Sequence, residues 1–149
     1  MPGPFESIHH ICIVVADIDA AIQFYDSVGI GPWHDYPPLT QYTELDVPNT
    51  EAFLGLRYMY AMRGTCQIQL VEPGTANSPQ RIFLDKTGGG VFHIGFDVAD
   101  IAGSTDQAGE LGLTPWMTGR RPDGSGFSYF DTGDVAGVTL EIRQSPPPE

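Results

Sequence analysis

The sequence predicts an α+β domain built from one strand–helix–strand–strand unit used twice. Two features lead there: an internal repeat through most of the chain, and within each half a change from β-branched alternation to helical spacing behind an aspartate. A shift of about 83 positions lays His10-Ile11-Cys12-Ile13-Val14-Val15-Ala16-Asp17-Ile18 over His93-Ile94-Gly95-Phe96-Asp97-Val98-Ala99-Asp100-Ile101. His, Ile, Val, Ala, Asp and Ile coincide. The register runs without a gap to Val28-Gly29-Ile30-Gly31-Pro32-Trp33 over Leu111-Gly112-Leu113-Thr114-Pro115-Trp116, so the two tryptophans of the chain fall on each other. Unrelated strand–helix pieces would not keep Gly, Pro and Trp in step. One domain, 1–149, is expected to contain two repeats, about 5–73 and 88–145.

Each repeat opens with a strand, Ile8 to Val15 and Val91 to Val98, whose alternation puts His10, Cys12 and Val14 on one face and His9 on the other. Asp17 then caps a helix whose Ile18, Ala21, Ile22, Tyr25 and Val28 recur at helical spacing before Gly29. Asp100 opens the equivalent helix, less apolar, which ends before Gly112. Leu56 to Met62 and Cys66 to Val71 read as two strands around a turn at Arg63-Gly64, and Phe127 to Asp131 and Val138 to Ile142 repeat that pair. Between the halves, Glu72-Pro73-Gly74 begins a linker, Ser78-Pro79 caps and opens a short helix through Lys86, and Gly88-Gly89-Gly90 ends it as a flexible joint. That glycine run precedes a strand and lacks a Lys-Ser/Thr pair, so it is not a P-loop. The tail Pro146-Pro147-Pro148 cannot continue a sheet and is expected to be disordered.

Composition narrows the function classes. Seven Lys and Arg against nineteen Asp and Glu give a net charge of −12, which opposes phosphate tracking and attraction to an anionic membrane, so neither nucleic acid nor membrane is an expected partner. No apolar run approaches the roughly 18 residues of a membrane span, and Met1-Pro2-Gly3-Pro4 has neither a basic flank nor an apolar stretch. Cys12 and Cys66 are too few for a disulfide framework and read as buried free thiols, so a soluble protein of the reducing cytoplasm is expected.

Four polar residues break the strand pattern. His10 and His93 occupy matching places in the first strands, and the last strands contribute Gln69 and Glu141. A two-fold pairing of the halves would bring them to one sheet surface as two nitrogen and two oxygen ligands, a set that suits a divalent ion and leaves it open positions for substrate. A single strand histidine is more often a hydrogen-bonded core residue, and Glu141 on an edge strand would face solvent; two histidines in repeat register argue for the metal. His9 and His34 have no histidine in register and read as structural or surface residues.

At these residues the sequence resembles the vicinal oxygen chelate superfamily, which includes glyoxalase I, methylmalonyl-CoA epimerases, extradiol dioxygenases and bleomycin- or fosfomycin-resistance proteins. The resemblance rests on Ile8-His9-His10-Ile11-Cys12-Ile13-Val14-Val15 with Asp17, Gly90-Val91-Phe92-His93-Ile94-Gly95-Phe96 with Asp100, Ile68-Gln69-Leu70-Val71-Glu72-Pro73 and Gly137-Val138-Thr139-Leu140-Glu141-Ile142. It implies two paired βαβββ modules forming a cupped mixed sheet around a divalent metal, with His10, Gln69, His93 and Glu141 on the ligand positions. Co, Ni, Zn, Mn and Fe all suit such a set. A homodimer is expected from the same resemblance.

The His, Gln, His, Glu set is most similar to that of the epimerases, in which an enolate of an acyl thioester is stabilised while protons move at the adjacent carbon. Glu141 is then the ligand able to exchange a proton. The epimerases carry a second Glu before the Gly that enters the third strand; here Ala52-Phe53-Leu54-Gly55-Leu56 has none, so Glu51 is the nearest candidate, with Glu44 and Asp46 on the preceding loop. The surplus of the first half, around Tyr36 to Phe53, suggests a loop tailored to a substrate. Arg57, Arg63, Arg120 and Arg121 are candidates for an anionic group but read as surface cations, and Trp33, Trp116, Tyr36, Tyr58 and Tyr60 line a pocket or fill the core. A metal-dependent isomerase or epimerase acting on an acyl thioester or a 2-substituted acid is the first expectation. A glyoxalase I-like lyase, a binding protein of the resistance type and an extradiol dioxygenase are the alternatives.

Overall fold

In the computed structural model, residues 3–147 are described. Met1, Pro2, Pro148 and Glu149 lie outside them, and with them the readings of the first two residues and of the end of the proline run. The elements follow as β1 (Ser7–Val14), α1 (Ile18–Ser27), β2 (His34–Asp35), a 3₁₀ turn (Leu39–Gln41), β3 (Glu44–Asp46), α2 (Thr50–Leu54), β4 (Arg57–Arg63), β5 (Cys66–Glu72), α3 (Pro79–Thr87), β6 (Gly90–Asp97), α4 (Ile101–Glu110), β7 (Pro115–Arg120), β8 (Gly126–Phe130), α5 (Gly133–Ala136) and β9 (Thr139–Gln144). The fold is α+β, with a single mixed nine-stranded sheet in the order β2-β4-β5-β1-β6-β9-β8-β7-β3. No helix among the described residues is long and apolar enough to cross a membrane.

Both helix starts are capped as expected. Asp17 Oδ1 accepts from the Ala20 N–H at 3.1 Å, and Asp100 Oδ1 accepts from the Gly103 N–H at 3.1 Å. A second cap repeats as well: Glu72 Oε1, at the end of β5, accepts from the Ile18 N–H, and Gln144 Oε1, at the end of β9, accepts from the Ile101 N–H. Each last strand thus holds the start of its own helix. Ser78 Oγ caps α3 by accepting from the Arg81 N–H, with Pro79 opening the helix.

Gly88-Gly89-Gly90 is a packed turn rather than a joint. All three have positive φ, Gly88 is the left-handed C-cap of α3, and a β-carbon on Gly89 would meet the Val14 carbonyl oxygen at 2.8 Å. Close approach to β1 explains the glycine there. The short β2, β3, α2 and α5 carry too few residues for a periodicity and have no counterpart in the sequence reading.

The sheet closes on itself. β1 and β6 pair antiparallel at its centre, β1 pairs parallel with β5, and β6 pairs parallel with β9, so the two halves are laid out symmetrically. β3 belongs to the first half in sequence but pairs with β7, at the far edge of the second. Nine flat strands about 4.8 Å apart would hold β2 and β3 nearly 40 Å from each other. The connecting residues 36–43, part of them in a 3₁₀ turn, reach roughly 30 Å even fully extended, so the sheet must curl into a cup with this strap across its mouth.

The interior of the cup holds Cys12, Val14, Phe53, Leu56, Val71, Phe92, Met117, Phe127 and Tyr129. A second cluster, Ile101, Ala108, Phe130 and Ile142, lies between α4 and the sheet. Because alternate residues take opposite faces, Phe130 and Ile142 pack under the helix while Tyr129 and Glu141 turn into the cup.

Candidate metal centre

The two-fold relation between β1 and β6 is exact in register: His10 pairs with Gly95, and Cys12 with His93. β9 then places Glu141 beside Gly95, and β5 places Gln69 beside Cys12. Three of the four candidate ligands converge. His10 Nε2 lies 3.0 Å from His93 Nε2 and 2.7 Å from Glu141 Oε1, and His93 Nε2 lies 3.7 Å from the same oxygen. The three residues are 2 %, 1 % and 4 % exposed, so Glu141 does not take the solvent-facing alternative.

Gly95 permits this approach. A β-carbon there would collide with the His10 imidazole and come within 2.5 Å of Glu141 Oε1. On the other side of the two-fold the equivalent residue is Cys12, whose buried side chain stands between Gln69 and His93. Gln69 donates from Nε2 to Gln67 Oε1 at 2.9 Å, which leaves its carbonyl oxygen as the atom available for a cation.

His9 was expected on the opposite face of β1, and the structure corrects this. The β1–β6 ladder slips by one residue between Ile8 and His10, so His9 sits in a β-bulge that turns its ring beside His10. His9 Nδ1 is 2.8 Å from His10 Nδ1, with the rings edge to face. The second half repeats the irregularity: a slip between Cys12 and Ile13 isolates Phe92, whose ring lies edge-on to His93. One bulge per half thus backs His10 and His93 each with an aromatic ring. The His9-His10 doublet was the only sequence signal.

Burial dominates the electrostatics. It pushes the His93 imidazolium down to about 3 against the favourable pull of Glu141, so His93 is neutral with a lone pair to offer. Burial pushes the Glu141 carboxyl up, but His10 and His93, with help from the Tyr129 hydroxyl, overcome it and hold the group at about 2, ionised. His9, desolvated and facing Arg143 and His10, falls to about 4.

These residues fit a divalent cation. Among the described residues Glu141 Oε1 and His93 Nδ1 are buried without a hydrogen-bond partner, and an ionised carboxylate oxygen facing the neutral His93 imidazole offers a lone pair to a cation. Ligand atoms 2.0–2.2 Å from one ion stand about 3.0 Å apart along an octahedral edge, within the range of the three separations here.

Above the cluster is a cavity of about 20 Å³, room for one water, lined by His10, Gln69 and Glu141 below and by Tyr36, Leu39 and Tyr42 of the strap. A larger groove of about 330 Å³ lies outside it and shares Tyr36, Leu39 and Tyr58 as the dividing wall. The surplus loop therefore does cover the site. Tyr129 is buried and Tyr58 half-buried in the wall, and desolvation raises both phenols.

Glu51 is not brought to this cavity. It is exposed on α2, while the next two residues, Ala52 and Phe53, turn inward, because successive helical residues point about 100° apart. Glu44 and Asp46 are exposed on β3. Among the arginines, Arg57 pairs with Asp19, Arg63 donates to the Gly29 and Gly31 carbonyls, and Arg120 donates to Ser128, which agrees with ordinary structural use. Arg121 differs: it lines the cavity and donates to Gln41 Oε1 and to the Tyr42 hydroxyl.

Known proteins resemble this chain over most of its length. The glyoxalase/bleomycin resistance protein/dioxygenase superfamily profile matches residues 9–130. An ethylmalonyl-CoA/methylmalonyl-CoA epimerase of Cereibacter sphaeroides is 28 % identical over 142 residues, 92 % of this chain and 96 % of that protein. The methylmalonyl-CoA epimerase of Mycobacterium tuberculosis shares the fold with a TM-score of 0.73 at 24 % identity, over 99 % of this chain and 93 % of that one. A variant of the Streptomyces coelicolor methylmalonyl-CoA epimerase, solved in complex with 2-nitronate-propionyl-CoA, is 26 % identical with a TM-score of 0.70, over 96 % of this chain and 99 % of that one. With its profile matched across most of its length, the chain belongs to the glyoxalase/bleomycin resistance protein/dioxygenase superfamily.

Proposed function

We propose that this protein is a divalent-metal-dependent epimerase acting at the acidic carbon of a 2-substituted acyl thioester, of which methylmalonyl-CoA is the reference substrate. The observation that carries the reading is the buried His10–His93–Glu141 cluster, in which Glu141 Oε1 has no hydrogen-bond partner among the described residues. Similarity to an ethylmalonyl-CoA/methylmalonyl-CoA epimerase over 92 % of the chain supports the substrate class.

His10, His93, Glu141 and the Gln69 carbonyl oxygen would hold the ion. When bound, a divalent ion supplies Lewis acidity that stabilises negative charge on neighbouring substrate oxygens. The remaining work belongs to the chain. Glu141 is ionised and accepts the proton on its second oxygen; the aromatic wall of Phe53, Tyr58, Phe127 and Tyr129 keeps water from the carbanion; and Arg121 and Arg143, in the same lining, add positive charge to the cavity. A resistance-type binder has less support because the chain keeps all four candidate ligands buried, and a glyoxalase I-like lyase has less because the relative matched over 92 % of the chain is an epimerase. One observation favours a second reading: the close cluster of His10, His93 and Glu141 has by itself the composition of the open triad of iron oxygenases.

Elemental analysis and isotope exchange test the proposal together. The expected result is one divalent ion per chain, lost in His93→Ala and Glu141→Ala, with deuterium washing from D₂O into C2 of methylmalonyl-CoA. Absence of exchange with any acyl thioester bearing an acidic C2 would overturn it, and oxygen uptake with ferrous iron and catechols would establish the second reading. A homodimer is proposed as the assembly, to be read by light scattering.

A further inference from the structure

Inversion at carbon needs proton-carrying groups on two faces, yet the cavity wall contains a single carboxylate, Glu141, together with four phenols, Tyr36, Tyr42, Tyr58 and Tyr129. Three of the phenols are poorly placed for the second role. Tyr129 pairs directly with Glu141 across β8 and β9 and shares its hydrogen bonding with Tyr58, so both belong to the Glu141 side. Tyr36 has the Tyr42 hydroxyl as its partner and no bonded cation. Tyr42 comes from the strap across the mouth of the cup, whereas Glu141 rises from the sheet. Its hydroxyl accepts from Arg121 Nη2 at 3.2 Å, and the guanidinium carbon lies 4.9 Å from its ring centroid. Arg121 is itself fixed by Gln41 Oε1 at 2.8 Å, Ser125 Oγ at 3.0 Å and the Gln144 carbonyl at 3.3 Å.

We infer that Tyr42 is the acid that returns the proton on the face of the substrate opposite Glu141, with Arg121 as its positioning residue. This rests on the epimerase reading above. The C2–H bond breaks toward Glu141, which takes the proton, and its electron pair moves into the enolate. A new C2–H bond then forms with the Tyr42 hydroxyl proton on the other face, leaving a phenolate beside the Arg121 cation and the Tyr36 hydroxyl. Proton exchange with water returns Glu141 and Tyr42 to their starting forms, with no oxidant or co-reactant consumed. In the reverse direction the roles exchange.

The test uses metal-loaded full-length protein, single enantiomers of methylmalonyl-CoA and D₂O. Tyr42→Phe removes one oxygen and keeps the ring packing on Phe127. The expected result is a loss of epimerisation of a hundredfold or more, while deuterium still enters the enantiomer whose C2–H faces Glu141. Exchange without inversion is a signature that loosened packing would not produce. Epimerisation within threefold of the unmodified protein overturns the assignment of Tyr42, as does equal loss of exchange and inversion. If the unmodified protein exchanges no deuterium, the epimerase reading itself fails and takes this assignment with it.

Discussion

His10 and Glu141 meet at 2.7 Å across Gly95, the residue that pairs with both through the β1–β6 and β6–β9 ladders. The absence of one β-carbon is what lets an imidazole and a carboxylate from strands two positions apart come into contact.

Gly95→Ala should therefore abolish metal binding without unfolding the chain. The methyl group must displace the His10 ring or the Glu141 carboxylate, and overpacking of this kind costs about 1–3 kcal/mol. Metal stoichiometry near zero, with a cooperative melt retained at lower temperature, is the expected pair of measurements. Full metal occupancy in this variant would show that the two side chains do not need the space.

His9→Ala removes the ring that holds His10 Nδ1 at 2.8 Å. Losing a partner that orients a metal-binding histidine typically lowers affinity roughly 10- to 100-fold. A competition titration with a chromophoric chelator reads the loss directly, and an unchanged affinity would reduce His9 to a packing role.

Acid should destabilise the metal-free protein, and the sign follows from three depressed groups. The unfolded chain protonates His9 and His93 near their ordinary 6.5 and Glu141 near 4.5, whereas the folded chain holds them unprotonated down to about 4, about 3 and about 2. The unfolded state therefore binds more protons throughout that range, and stability falls as pH falls below about 6.5. Melting temperature measured from pH 7 to pH 4 should decline steadily, and His93→Gln should flatten the upper part of the slope. A flat profile in the unmodified protein would count against a buried neutral His93.

Arg121→Ala should loosen the strap. Its guanidinium donates to Gln41 and Tyr42 on one side and to Ser125 and Gln144 on the other, and bonds to a charged donor contribute about 1.5–3 kcal/mol each at most. Hydrogen exchange over residues 36–43 should accelerate at least tenfold while the central strands β1 and β6 stay protected. Uniform acceleration would instead mean global destabilisation.

The repeat, the two aspartate caps and the His10, His93, Glu141 set were all legible in the linear chain, because each depends on local spacing or on the identity of residues in two copies of one unit. Nothing local distinguishes Glu51 from a cavity residue; its outward direction follows from the phase of a five-residue helix between two loops. The side of the sheet on which His9 lies depends on a bulge, and a bulge is a property of two paired strands rather than of one. Likewise, Arg121 reaches Tyr42 only because β3 crosses to the edge of β7 and draws the strap over the cup. The sequence alone determined the four candidate ligands, His10, Gln69, His93 and Glu141, and which unit carries each. Tertiary structure alone decided which strands pair, in what register and how far the sheet curls, and these set the distances on which any proton transfer depends.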